Sequence, residues 1–203
     1  MSLAPILEVD MEHPNPRHIA RAVQVLNDGG LIAYPTDTYY AVGCNLFSKK
    51  AIDRLYELKG RDRKKPLAFL CADLSDVAEY AHVNNFAYRM LRQLTPGAFT
   101  FVLRATRKVP DMMATRQREV GIRIPDAALA RAMARELGHP LVTASANNRE
   151  GEPLIDAHEI KEELGNRLDL ILDGGIIANE PSTVVSLLED HAEILRQGKG
   201  ILE

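Results

Sequence analysis

Apolar residues return along this chain in two rhythms. Short unbroken runs read as strands buried on both faces, and stretches repeating every third or fourth position read as amphipathic helices. Leu7–Val9 predicts a first short strand. Asn15 followed by Pro16 marks a helix start, with Ile19, Ala22, Val23 and Leu26 at helical spacing and Gly29-Gly30 at the stop. Leu31–Tyr34 is a buried strand that ends at Pro35. Ser48 caps a second helix, with Ile52, Leu55 and Leu58 on one face and Gly60 at its end. Leu67–Cys71 is another apolar run, Asp73 caps the next helix, and Asn84 to Leu94 gives one more. Phe99–Arg104 and Val120–Ile124 are rich in strand formers, and Ala127–Leu137 is helical. Leu141–Thr143 is a short strand running into Ala144-Ser145-Ala146-Asn147. Residues 156–164 predict a helix, and Leu168–Leu172, Val184–Leu188 and Glu193–Arg196 predict strands.

Strands and helices mix throughout, and not every pair of strands is separated by a helix. The pattern therefore predicts an α/β fold on a mixed parallel and antiparallel sheet. No Ser/Gly/Pro-rich linker, repeat or low-complexity tract divides the chain. One domain over residues 1–203 is the expectation.

Composition narrows the class. Of 203 residues 46% are hydrophobic, too many for a disordered chain. The formal net charge of −3 excludes a protein that is basic all over, as many dedicated nucleic-acid binders are, but not a local basic site. The two cysteines, Cys44 and Cys71, form no Cys-x-x-Cys pair and read as buried thiols in a reducing compartment. The N-terminus lacks the pattern of a secretory signal, and no apolar stretch approaches the ~18 residues of a membrane helix. A cytoplasmic location is expected.

The usual phosphate loop, the dinucleotide fingerprint and the His-Glu-x-x-His zinc motif are all missing, and Ser145 lies in no nucleophile elbow. The six histidines are scattered, so no metal site is expected. Gly198-Lys199-Gly200 is too short to carry meaning alone. Four segments stand out instead. Pro35-Thr36-Asp37-Thr38 follows a strand, where α/β proteins bind ligands. Its hydroxyls and carboxylate suit a polar ligand, although a self-capping turn uses the same letters. Five cations fall between Lys59 and Lys65. A helix end accounts for one or two of them, and an anion such as a polyphosphate or a nucleic-acid backbone relieves the repulsion among the rest. A solvated charged loop is the plainer account. Thr143–Asn147 combines small residues with polar ones after a strand, as a tight turn also does. Pro181–Val185 and Ile194–Gly198 each place polar groups at the end of a strand.

The order of these segments is informative. Pro-Thr-Asp-Thr, Lys59-x-Arg61, Gly-Ile-Arg-Ile-Pro-Asp, Ser145-x-Asn147, Ser-Thr-Val-Val and Leu-Arg-x-Gly together resemble the YrdC/YciO family of threonylcarbamoyl-AMP synthases over residues 17–200. The resemblance implies a single YrdC-like domain, a twisted mixed sheet with flanking helices around a basic concave cavity. It implies a nucleotidyltransferase that joins L-threonine, bicarbonate and ATP, with Mg²⁺, into threonylcarbamoyl-AMP and pyrophosphate for the t6A modification of tRNA. It places threonine at Thr38, Arg123, Thr143 and Ser182, and the nucleotide at Arg61, Lys65, Ser145 and Arg196. Lys59 and Asn147 complete the Lys-x-Arg and Ser-x-Asn signature, so Lys59, Arg61, Ser145 and Asn147 are the expected catalytic set. Arg123 is of the type that holds a carboxylate through two parallel bonds.

Certain details depart from the main synthases. Tyr39-Tyr40-Ala41-Val42-Gly43 replaces their usual Tyr-Gly-Leu-Gly, and a ring at Tyr40 is expected to narrow or reshape the pocket. Glu119 stands where a threonine near the nucleotide is usual, and a carboxylate there repels phosphate. Tyr-Ala-Val-Gly-Cys and Thr-Pro-Gly-Ala-Phe-Thr-Phe look like the YciO branch, and no accessory C-terminal domain is expected. The rival reading is a binder of double-stranded RNA or tRNA that keeps the cavity without the adenylate chemistry. No heptad or wide apolar stripe decides the oligomeric state.

Overall fold

A computed structural model describes residues 3–60, 67–113, 117–178 and 180–202. The elements in chain order are β1 (Ile6–Glu8), α1 (Pro16–Asn27), β2 (Ile32–Tyr34), β3 (Ala41–Asn45), α2 (Lys49–Lys59) and β4 (Ala68–Leu70). Then come α3 (Leu74–Tyr80), β5 (Ala81–His82), α4 (Asn85–Leu94), β6 (Phe99–Ala105), β7 (Glu119–Arg123) and α5 (Ala128–Leu137). Last are β8 (Leu141–Ser145), α6 (Ala157–Leu164), β9 (Leu170–Asp173), β10 (Thr183–Ser186) and β11 (Glu193–Arg196).

Helix starts are set locally by short polar side chains that satisfy the first free N–H groups. Asn15 accepts from Arg17 N at 2.9 Å, Asn84 from Ala87 N at 2.7 Å and Asp156 from His158 N at 2.7 Å. Ser48 and Asp73 do the same for α2 and α3. Gly60 and Gly138 end α2 and α5 in the left-handed region, with φ of 54° and 78°. Asn15, Ser48, Asp73 and Gly60 are the caps that the sequence predicts, while Asn84 and Asp156 stand one residue before helices that it predicts to start on them.

The strands form one sheet in the order β1-β9-β2-β3-β8-β4-β7-β6-β10-β11, with β5 added beside β6. It is mixed: β1/β9, β2/β9, β4/β7 and β6/β10 are parallel, while β2/β3, β3/β8, β4/β8 and β6/β7 are antiparallel. Pattern reading misses β3 and β5. Every residue of β3 is buried, so it shows no alternation, and Gly43 breaks its run of strand formers.

The two faces of the sheet differ in residue size. Register places Val142, Phe69, Ile122, Phe101 and Val185 in one row, and all belong to a core covered by α2, α3, α4 and α6. The row behind it, on the opposite face, is Gly43, Thr143, Ala68, Gly121 and Val102. Helices α1 and α5 pack together over part of that face, against Ile32, Tyr34, Leu70 and Leu141. Beyond them the small residues leave the face hollow. Residues directly opposite in a ladder share a face, so small side chains on four neighbouring strands produce a depression and not scattered gaps. Among the described residues no helix is long and apolar enough to cross a membrane.

Candidate functional site

The hollow is a cavity of about 380 Å³. Ala68, Gly121, Thr143 and Val102 form its floor, and the loop between β2 and β3 closes one side with Thr36, Thr38 and Tyr39. Thr100, Ser182, Val184, Leu195 and Arg196, from β6 and the β10–β11 hairpin, close the other. Ser145 stands at one rim, and Glu119 also borders the space.

Hydrogen bonds fix the polar lining in a definite direction. Arg123 Nη1 donates to Thr38 Oγ1 at 2.7 Å, and Nη2 donates to the Asp37 carboxylate. The Thr36 hydroxyl gives its proton to the carbonyl of Tyr39 at 2.6 Å. The Thr38 hydroxyl, 3.1 Å away, then donates to Thr36 Oγ1. Thr38 therefore has no proton left for a ligand and faces it as an acceptor, while Arg123 offers only donors. Arg123 Nε is buried and has no hydrogen-bond partner among the described residues.

Charge is concentrated here. Asp37 and Arg123 side chains are each only 12% exposed. Burial pushes the Arg123 guanidinium below its usual value, while the Asp37 carboxylate pulls it back up and the nearby charge of Arg196 adds to the lowering. Two guanidinium groups are thus held close enough to repel, with Asp37 as counter-charge. Such an arrangement is relieved by an anion. Arg196 is anchored through Nη2 to the Ser182 carbonyl at 2.8 Å, and Ser182 Oγ sits 2.8 Å from Thr100 Oγ1. Below, Tyr34 OH meets Thr143 Oγ1 at 2.7 Å. Burial raises the Tyr34 phenol well above its ordinary range, so it keeps its proton.

The expected site residues gather unequally. Thr38, Arg123, Thr143, Ser145, Ser182 and Arg196 all border the one cavity. Lys59 and Asn147 meet beside it: Lys59 Nζ donates to Ser145 O and to Asn147 Oδ1, both at 2.7 Å. Asn147 Nδ2 in turn donates to Gly151 O at 2.9 Å, clipping the end of β8 to the turn that follows. Arg61 and Lys65, with most of the cationic segment, lie outside the described residues.

Several details differ from the sequence reading. Both terminal nitrogens of Arg123 are engaged within the chain, and Nε has no partner among the described residues. Asp37 holds Arg123 and does not border the cavity. Tyr40 borders the cavity, as the sequence reading expects, while the residue is buried with the helix-covered core and its hydroxyl donates to Gly175 O at 2.7 Å and accepts from Gly174 N at 3.0 Å. Its phenol is turned toward the end of β9. The strand runs two residues past the predicted Leu141–Thr143, with Ala144 and Ser145 paired to Val42 and Ala41. Sequence reasoning passed over Tyr34, Thr100 and Lys199, whose partners lie 109, 82 and 162 positions away. Cys44 and Cys71 are free and buried, and burial raises both thiols, Cys44 to about 12.

Comparison with known proteins places the family and the fold. The Sua5/yciO/yrdC family model, described as "Telomere recombination", matches residues 24–198. An uncharacterized protein of Haemophilus influenzae is 40% identical over 192 residues, covering 93% of each chain. A threonylcarbamoyl-AMP synthase of Vibrio campbellii is 31% identical over 186 residues, covering 90% of this chain and 100% of its own. The crystal structure of E. coli YciO superposes with a TM-score of 0.92 at 32% identity, over 98% of both chains. That of P. abyssi Sua5 complexed with L-threonine gives 0.87 at 28% identity, over 96% of this chain and 58% of the other. The fold is thus the YrdC-like one, and named threonylcarbamoyl-AMP synthases stand among its relatives. This chain belongs to the Sua5/YciO/YrdC family.

Proposed function

We propose that the chain is a threonylcarbamoyl-AMP synthase, a nucleotidyltransferase acting on L-threonine, bicarbonate and ATP. The observation that carries this reading is the convergence of Arg123, Arg196, Thr38, Thr143, Ser145 and Ser182 on one cavity. The likeness to a Sua5 that was crystallised with L-threonine supports it.

In this reading threonine and bicarbonate condense to a carbamate with loss of water. A carbamate oxygen then attacks the α-phosphorus of ATP, the bond to the β-phosphate oxygen breaks, and pyrophosphate leaves. Such a transfer needs positioning and charge stabilisation more than a covalent intermediate. Arg123 and Thr38 supply the amino-acid end of the cavity, where the guanidinium charge attracts the carboxylate. Arg196, with Arg61 and Lys65, supplies cations for the phosphates. Lys59 and Asn147 hold the Ser145 backbone in place from outside the cavity. Mg²⁺ carried by the triphosphate would lower the negative charge that Arg196 meets at the phosphates. Among the described residues that border the cavity, Glu119 carries the carboxylate.

The assay is pyrophosphate release. With ATP and Mg²⁺, release is expected only when threonine and bicarbonate are both present, and Arg196→Ala is expected to slow it by at least about tenfold. Tight tRNA binding with a steep salt dependence, and no pyrophosphate, rejects this reading in favour of an RNA binder.

A further inference from the structure

The segment Gly198-Lys199-Gly200 follows β11 and has no part in the reading above, yet it is tightly built. A β-carbon on Gly198 would stand 2.2 Å from the Pro181 carbonyl oxygen, and one on Gly200 would stand 2.7 Å from the Phe99 ring. Side chains are excluded on both sides of Lys199. The backbone is fixed as well. Lys199 N donates to Pro181 O at 2.8 Å, Gly198 N donates to Thr183 Oγ1 at 3.0 Å, and Thr183 Oγ1 donates to Gly200 O at 2.6 Å. Gln197 Nε2 adds a bond to Gly200 O at 2.8 Å.

This packing delivers one ammonium group. Lys199 Nζ donates to the backbone carbonyl of Asp37 at 2.7 Å, across 162 positions of sequence. The carboxylate of the same Asp37 holds Arg123, and Arg123 holds Thr38. Neither Lys199 nor Asp37 borders the cavity, whereas Arg123 and Thr38 do. The lysine and the aspartate therefore stand behind the two groups that face a ligand. Thr36 and Thr38 of this loop are buried and Thr36 bonds to Tyr39 O, while Lys199 is the tie that the C-terminal segment adds at the Asp37 backbone, and the position of Arg123 follows from the position of Asp37.

We infer that Lys199 is a positioning residue: the Gly198-Lys199-Gly200 segment is a clasp that pins Asp37 and thereby sets Arg123 and Thr38 at the amino-acid end of the cavity. The clasp itself stands on the geometry above, while the identity of the ligand it serves rests on the synthase reading.

Two measurements on the full chain test it, using the wild type, Lys199→Met and Lys199→Arg. The first is water exchange of the Arg123 side-chain Nε–H followed by NMR, which needs no ligand. Lys199→Met is expected to speed that exchange about tenfold, and Lys199→Arg, which restores a cationic donor, to bring it back. The second is calorimetric titration with L-threonine, where Lys199→Met is expected to weaken Kd about tenfold and Lys199→Arg to recover it. Unchanged Nε–H exchange in Lys199→Met overturns the clasp, since loss of a distant charge weakens binding without freeing Arg123. Equal exchange in the Met and Arg variants overturns it too. A wild type that does not bind threonine overturns the synthase reading instead, and the exchange result then decides the clasp by itself.

Discussion

Tyr34 lies across Gly43 so closely that a β-carbon there would come within 2.9 Å of its ring. Glycine at that point lets the Tyr34 ring lie flat against β3 in the core under α1 and α5, and the phenol then reaches Thr143. Tyr34→Phe keeps the ring and removes one buried bond. A loss of about 1 kcal/mol in urea unfolding is expected. Arg123 presents the larger stake. Its removal as Arg123→Met leaves the Asp37 carboxylate 12% exposed and without its buried guanidinium partner, and a cost of about 3 kcal/mol in the same experiment is expected. Residue types of this kind were readable beforehand, since Arg, Thr and Ser at strand ends announce a polar ligand. Their pairings were not. Asp37 in Pro-Thr-Asp-Thr reads as a ligand grip, and only the arrival of β7 beside the loop makes it the partner of Arg123.

Elements respond to their ends. Asn84 caps α4 through Ala87 N at 2.7 Å, and Asn84→Ala is expected to cost about 1 kcal/mol of stability with no change in ligand binding. His139 follows the left-handed Gly138 at the end of α5, where its Nδ1–H donates to Pro140 O at 3.0 Å and its ring meets Phe47 edge-on at 4.8 Å. Burial is the main cause that lowers its pKa from 6.5 in the fold. A folded-state pKa below the unfolded one means that the unfolded chain binds the proton more readily. Stability from the neutral ring is complete above about pH 6.5, falls below it, and levels off beneath the lowered folded value. Tm measured as pH falls from 7 should decline through this window, and His139→Gln should flatten that decline. Caps and helical periodicity made α1 to α6 legible because each depends on neighbours a few positions away. β3 was not legible, since a strand buried on both faces with glycine in its middle has no alternation to show.

Across the whole molecule the chain is mildly acidic, with a net charge of −3, while the cavity is lined by Arg123 and Arg196. A local cationic hollow in an acidic chain suits a small anion better than a long polyanion, whose footprint extends past the hollow. Raising ionic strength from about 0.1 M to about 1 M shortens the screening length from about 10 Å to about 3 Å. ATP affinity is expected to fall severalfold over that range, and the affinity for zwitterionic threonine to change little, as calorimetry at the two salt concentrations will show. Strand order belongs to this scale as well. The sequence placed strands and helices in line along the chain, but nothing in it set β8 between β3 and β4, or β10 beside β6.

By itself, the sequence determined where helices begin and end, most of the strands, and, through the order of its polar segments, the Sua5/YciO/YrdC family. Helix caps bind backbone two or three positions on, so the letters nearby decide them. The tertiary structure alone decided the hollow face of the sheet, the ion pair of Asp37 with Arg123 and the reach of Lys199. Those bonds join residues 86 and 162 positions apart, and such partners are chosen by how sheet and helices pack, a property of the whole chain and of no local pattern within it.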